Sequence, residues 1–311
     1  MKVAVFFALL VLALNLLNKL YLTKNVCDNE GIVKFEDIKP EIIISNTGNS
    51  HGLYGFNYEE LGKEYNCFNF ALTSQKLSYD YNLVCNYEDY LANDGIMFIT
   101  VSFFSIYGED EEEQEIFEST NRRYYRILPP RLIKEYNWKE DVKHHVFPVI
   151  NDEEVLKTFV EGKQTGEVYQ KFWYQNAAET GDLEDNAQKA YERHYVTNGN
   201  IISNKKVNKK EYKALTDLII FCKSRDIQPV LITTPYTHEY KERIGQDFLD
   251  DFYMRIEEIA AQNDVEYYDY SDDGRFAQYP QFFVNADHLN YNGALKFTDI
   301  VKEEIIDQRI Q

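Results

Sequence analysis

Five short apolar runs separated by helix-like stretches constrain the fold of this chain more than any other feature. The runs fall at 41–45, 65–72, 96–104, 229–233 and 265–270, with Pro40, Gly95 and Pro235 at their margins. Short β-branched and aromatic runs bounded by turn residues read as buried strands. Stretches at 56–63, 75–92, 209–224, 248–262 and 292–306 carry helical spacing. In the third of these, Leu215, Leu218, Ile219 and Cys222 share one face, as an amphipathic helix requires. Strands alternating with helices build a parallel sheet covered on both sides. The predicted class is α/β, in three layers. Ligands of such sheets lie beyond the C-terminal ends of the strands. Ser50, Ser102, Pro235 and the 271–288 loop all follow strands, so that edge can gather them.

The pattern is interrupted once. Residues 109–204 carry few strand signals and read as a mostly helical and loop insertion. The acidic run 109–118 is expected to be a solvated face rather than a metal site. Phe172-Trp173-Tyr174 is expected to pack in a core rather than stack on sugar rings. The domain plan is then a segment 1–24, a polar linker 25–40, and one domain 41–311 with an insertion at about 109–204.

Segment 1–24 has a composition of its own. Lys2 precedes an apolar run from Val3 to Leu17, followed by Asn18-Lys19 and Leu20-Tyr21-Leu22. The run is slightly short of the roughly 20 residues that span a bilayer. An uncleaved single-pass signal-anchor is expected, with a cleaved signal peptide as the alternative. The rest would then lie outside the cytoplasm.

The net charge of −19 excludes nucleic acid as a partner, because a phosphate backbone demands a basic surface. With 44% hydrophobic residues the chain can fill a core. Cys27, Cys67, Cys85 and Cys222 form no C-x-x-C pair, which removes a zinc ribbon and a redox motif. Free thiols are expected.

Two segments carry candidate chemistry. Gly48-Asn49-Ser50-His51 follows the first strand, and Asn285-Ala286-Asp287-His288 leads into the last helix. A serine hydroxyl is a weak nucleophile and needs a base within hydrogen-bond reach. At a strand-to-helix turn, Ser50 would also sit among free backbone N–H groups able to hold an oxyanion. The plainer reading makes Ser50 a helix cap. His288 can serve as base because imidazole exchanges its proton near neutral pH. Asp287 or Asn285 could orient it. His51 would touch substrate or cap the turn. His144-His145 would point in different directions on regular structure, so a shared metal is not expected there, and His194 and His238 read as isolated surface positions.

Together, the strand, the Gly-x-Ser-His turn and the C-terminal Asp/His loop resemble the SGNH (GDSL-type) hydrolases, within them the membrane-anchored DltD-like branch. Asn69-Phe70-Ala71-Leu72, Tyr267-Tyr268-Asp269-Tyr270 and His288-Leu289-Asn290 with Gly293-Ala294 add to the likeness. It covers 41–105 and 205–306. The resemblance implies a flavodoxin-like sheet, Ser50 as nucleophile, His288 as base, and oxyanion donors from the N–H groups of Ser50 and Ala71. Ser102 stands near the position of the family's oxyanion-hole Asn. Asn49 replaces the usual Asp before the nucleophile, and Asn285 occupies the usual position of the acid.

The implied function is an extracytoplasmic serine esterase or acyltransferase. Its substrates would be O-acyl or O-alanyl groups of a teichoic acid or exopolysaccharide, with no metal or organic cofactor. A membrane-bound O-acyltransferase is the implied protein partner. The alternative, raised by Asn285, is a weak or inactive relative that only binds a glycopolymer or such a partner.

Overall fold

The computed structural model describes residues 2–24, 34–35, 37–108, 122–146, 182–197, 200–201 and 206–310. They belong to two compact units, one of residues 1–37 and 112–170, the other of 38–111 and 171–311.

The first unit contains helix α1 (Lys2–Lys24) and a helix at Trp138–Val146. Val3, Phe6, Leu9, Leu16 and Leu20 of α1 are exposed. Asn15, Asn18 and Lys19 interrupt its apolar run. Among the described residues no helix is long and apolar enough to cross a membrane, so the spanning helix expected over 1–24 is not found there. His144 and His145 lie on the Trp138–Val146 helix, with side chains outside the described set. The acidic run 109–118, Phe172-Trp173-Tyr174 and Cys27 also lie outside the described residues.

The second unit is built on a five-stranded sheet, β1 (Ile42–Thr47), β2 (Cys67–Asn69), β3 (Leu91–Thr100), β4 (Gln228–Thr233) and β5 (Tyr267–Asp269). Its spatial order is β2-β1-β3-β4-β5 and every pairing is parallel. This is the flavodoxin-like order, whose switch point lies between the first and third strands. The same unit carries helices α2 (Ser50–Gly55), α3 (Leu77–Asn86), α4 (Leu183–Tyr195), α5 (Lys209–Ser224), α6 (Gln246–Asn263) and α7 (Tyr291–Val301), with shorter elements between and after them.

Side chains of successive strand residues point to opposite faces. Ile44, Ile96, Phe98, Val230 and Ile232 join Phe297, Val301 and Ile305 in one cluster. Met97, Ile99 and Leu231 alternate with them and have no exposed area. Both faces are therefore covered, and each such side chain stabilises the fold by about 1.5–3 kcal/mol.

Two elements begin earlier than expected. The helix expected at 56–63 starts earlier, at Ser50, because the Asn49 side chain accepts a hydrogen bond from the His51 N–H at 2.9 Å. Only a 3-10 turn, Leu61–Lys63, forms near the expected place. The third strand starts at Leu91, ahead of Gly95. Asn290 caps α7 by accepting from the Gly293 N–H at 2.9 Å.

The turn leaving β1 depends on Gly48. Its φ is +134°, and an added Cβ would lie 2.8 Å from Thr100 Cβ and 3.1 Å from the Thr100 carbonyl oxygen. Its N–H donates to Asp80 Oδ1 at 2.9 Å, fixing the turn from below. Gly48→Ala is expected to lower stability by roughly 2–4 kcal/mol, through backbone strain plus the contact with Thr100. The urea midpoint reads this directly; an unchanged midpoint would contradict it.

Candidate active site

Ser50 is the first residue of α2, one step after its cap. The first N–H groups of a helix have no intrahelical acceptor. Ser50 thus carries a nucleophilic oxygen and an available donor type on the same residue. His288 reaches it from the loop between β5 and α7. His288 Nε2 lies 2.8 Å from Ser50 Oγ.

That loop is held at several points. The Val284 N–H donates to the His288 carbonyl at 2.9 Å. The Thr237 hydroxyl donates to the Ala286 carbonyl at 2.8 Å. The first turn of α7 packs so closely that a Cβ on Gly293 would fall 2.0 Å from the Phe282 carbonyl oxygen.

Asn285 sets the tautomer of His288. Its Oδ1 accepts from the backbone N–H groups of Asp287 at 3.2 Å and His288 at 2.9 Å. Two backbone donors fix which end of the amide faces inward. The same oxygen lies 3.1 Å from His288 Nδ1, so Nδ1 carries the proton. Nε2 is then the acceptor that faces the Ser50 hydroxyl, as a general base requires.

Asp287 supplies charge beside this pair. Its Oδ1 is 3.2 Å from His288 Nδ1. Alignment for a hydrogen bond is lacking, and Oδ1 is buried without a hydrogen-bond partner. Oδ2 accepts three bonds, from Arg193 Nη2 at 2.6 Å, His194 Nε2 at 2.9 Å and His51 Nε2 at 3.2 Å. Burial opposes ionisation, yet electrostatic attraction to the neighbouring His288 and the hydrogen bonds from His194 and His51 outweigh it. They hold the carboxyl well below the usual range. His51 is pushed down to about 3 by burial, against its hydrogen bond to Asp287. Burial also lowers His194. Both imidazoles are therefore neutral N–H donors to an ionised carboxylate.

The remaining predicted residues lie beneath the dyad. His51 is 2% exposed and its Nδ1 is 2.7 Å from Ser102 Oγ and 3.0 Å from the Tyr236 hydroxyl. It supports the floor of the site and does not face substrate. Ser102 has no exposed area and bonds Asn49 and His51. It is a buried hub whose hydroxyl is engaged by Asn49 and His51. Asn49 caps α2 and donates to Ser102 Oγ at 2.9 Å. The Ala71 N–H, expected in the oxyanion hole, donates to Asn69 Oδ1 at 2.9 Å.

His194 was expected at the surface. Its side chain is instead 11% exposed and stacks on Phe104 with ring centroids 4.1 Å apart. Arg193, Tyr236 and His194 escaped the sequence reading because no local signal ties them to residues so distant in the chain. His238 is exposed and pairs with Glu242. Cys67, Cys85 and Cys222 are free thiols.

Ligand-type atoms of His51, Asp287 and His288 lie within 4.8 Å of one another. A cation at Asp287 Oδ2 would have to displace the Arg193 guanidinium and two N–H donors. The cluster therefore reads as a hydrogen-bond network rather than a metal centre.

A Ser–His pair at the C-terminal edge of a parallel 2-1-3-4-5 sheet defines the class, an SGNH-type α/β protein. The DltD protein family matches residues 109–303, well over half of the chain, and the chain belongs to that family. The matched span includes Arg193, His194, Asn285, Asp287 and His288, with Ser50 ahead of it. It also crosses the middle segment that the sequence likeness did not cover. No curated protein matches the chain. Among solved structures, a candidate acylhydrolase from Bacteroides fragilis aligns with a TM-score of 0.42 at 12% identity, over 90% of this chain and 95% of that one. Family membership supports an acyl-related hydrolase or transferase function at the cell envelope.

Proposed function

We propose that the protein is an extracytoplasmic serine esterase or acyltransferase acting on O-acyl or O-alanyl groups of a cell-envelope glycopolymer. The observation that carries this reading is the 2.8 Å approach of Ser50 Oγ to His288 Nε2, in the tautomer fixed by Asn285. Ser50 gives its proton to Nε2 as Oγ attacks the ester carbonyl. The leaving alcohol takes that proton back, and an acyl-Ser50 ester remains. Water or a sugar hydroxyl, deprotonated by Nε2, then releases the acyl group. Asn285 orients the imidazole, and Asp287 stabilises its transient charge across 3.2 Å.

The exposed apolar side chains of α1 support attachment to a membrane. An acylated teichoic acid or exopolysaccharide as substrate, and a membrane-bound O-acyltransferase as partner, belong to the same proposal and follow from the resemblance of the motifs.

A fluorophosphonate probe tests the reading. It should modify wild-type protein on the Ser50 peptide, and the Ser50→Ala variant should stay unmodified. Absence of wild-type labelling would favour the binding-only alternative.

A further inference from the structure

We infer that Arg193, carried by α4, is a positioning residue that sets the charge Asp287 presents to His288, so that the reactivity of Ser50 depends on α4 being docked. The inference rests on the Ser50–His288 reading above. Four observations carry it.

The first is the division of labour on the carboxylate. All three donors use Oδ2, and Oδ1 is left turned toward His288 Nδ1. A buried acceptor without a partner is costly, and the arrangement persists because Oδ2 is held so firmly. Arg193 makes the shortest of the three contacts, at 2.6 Å.

The second is charge. Of the three donors on Oδ2, Arg193 alone is permanently charged, since both histidines are neutral. Its guanidinium partly compensates the carboxylate as seen from His288. The Arg193 side chain is 49% exposed and Asp287 is fully buried, so solvent weakens the compensation without removing it.

The third is the surroundings. Among the described residues, His51 and Tyr54 of α2, His194 and Tyr195 of α4, and Tyr236 and Tyr240 beyond β4 are the other titratable groups facing the cluster. His51 and His194 are neutral, and burial raises Tyr236 and Tyr240 well above their ordinary value. Arg193 and Asp287 are thus the fixed charges among these neighbours.

The fourth is how α4 is mounted. Asp182 caps it by accepting from the Glu184 N–H at 3.1 Å. Arg243 Nη2 donates to the Glu184 carbonyl at 2.9 Å. Ala187, Ala190 and Tyr195 are buried, and His194 stacks on Phe104 beside the sheet edge. Arg193 is presented by a packed helix and not by a free loop.

The test is the pH profile of fluorophosphonate labelling of Ser50 in the full chain. Arg193→Gln leaves the Asp287 charge less compensated, which favours imidazolium at His288. The acid limb is expected to move to higher pH by about one unit. Arg193→Lys should keep the limb near its wild-type position. His194→Phe keeps the stack on Phe104 but removes one donor, and should move the limb the same way by less. If the wild type is not labelled at Ser50, the functional reading fails. If it is labelled and the limb stays put in Arg193→Gln, or in His194→Phe should the first variant be insoluble, this inference alone is overturned. A uniform loss of rate at every pH would likewise mark Arg193 as merely structural.

Discussion

Replacing Ser50 with Ala is expected to lower kcat/KM for hydrolysis of a simple acetyl ester by roughly 10,000-fold or more. His288→Ala should cost about as much, and the double variant little more than either. The reason is that the two side chains act as a unit. The base is useful only for a proton on Ser50 Oγ, 2.8 Å away. Ser50 is half-buried, whereas His288 is buried against His51 and Tyr54. Ser50→Ala should therefore unfold near the wild-type midpoint, while His288→Ala should unfold somewhat earlier through the space left by the imidazole. Steady-state rates on the three variants and the parent decide the matter. Losses that multiply in the double variant, or a Ser50→Ala enzyme within tenfold of the parent, would remove Ser50 from the chemistry.

The sheet and the dyad are both legible in the sequence because they rest on short-range signals. A buried β-branched strand announces itself through its composition, as Ile42, Ile43 and Ile44 do. The Gly48-Asn49 pair marks the turn that follows. The strand positions then fix the C-terminal edge, and that edge joins Ser50 to His288 across most of the chain. The structure corrects the residues around them for a different reason. His51, Ser102 and Ala71 stand beside motif residues, and adjacency in sequence suggested contact with substrate. The His51 and Ser102 side chains are taken up by distant buried partners that no local pattern reveals, and the Ala71 N–H by the Asn69 side chain two residues before it. Arg193 and His194 lie at the opposite extreme. They come from a segment without strand signals, and only tertiary packing brings them to Asp287.

Asn285 and Asp287 share a task that one carboxylate usually performs, and the two halves are separable. Asp287→Asn is expected to lower kcat/KM roughly 100- to 1,000-fold, through loss of the charge that stabilises imidazolium. The sign of its pH effect follows from that charge. Asp287 favours the protonated imidazole, so its removal moves the acid limb of kcat/KM to lower pH, opposite to Arg193→Gln. Asn285→Ala removes the acceptor that fixes the tautomer but leaves the carboxylate 3.2 Å from the ring. Its expected loss is smaller, roughly 10- to 100-fold, with the limb unmoved, since a neutral amide contributes orientation rather than charge. Stability separates the two as well. Asp287→Asn leaves Arg193, His194 and His51 around a neutral oxygen, which should cost about 3 kcal/mol in urea unfolding. pH profiles of the two variants, each compared with the parent, read both halves. A limb that moves in Asn285→Ala and stays put in Asp287→Asn would exchange the assignments and make the amide, against its chemistry, the electrostatic partner of His288.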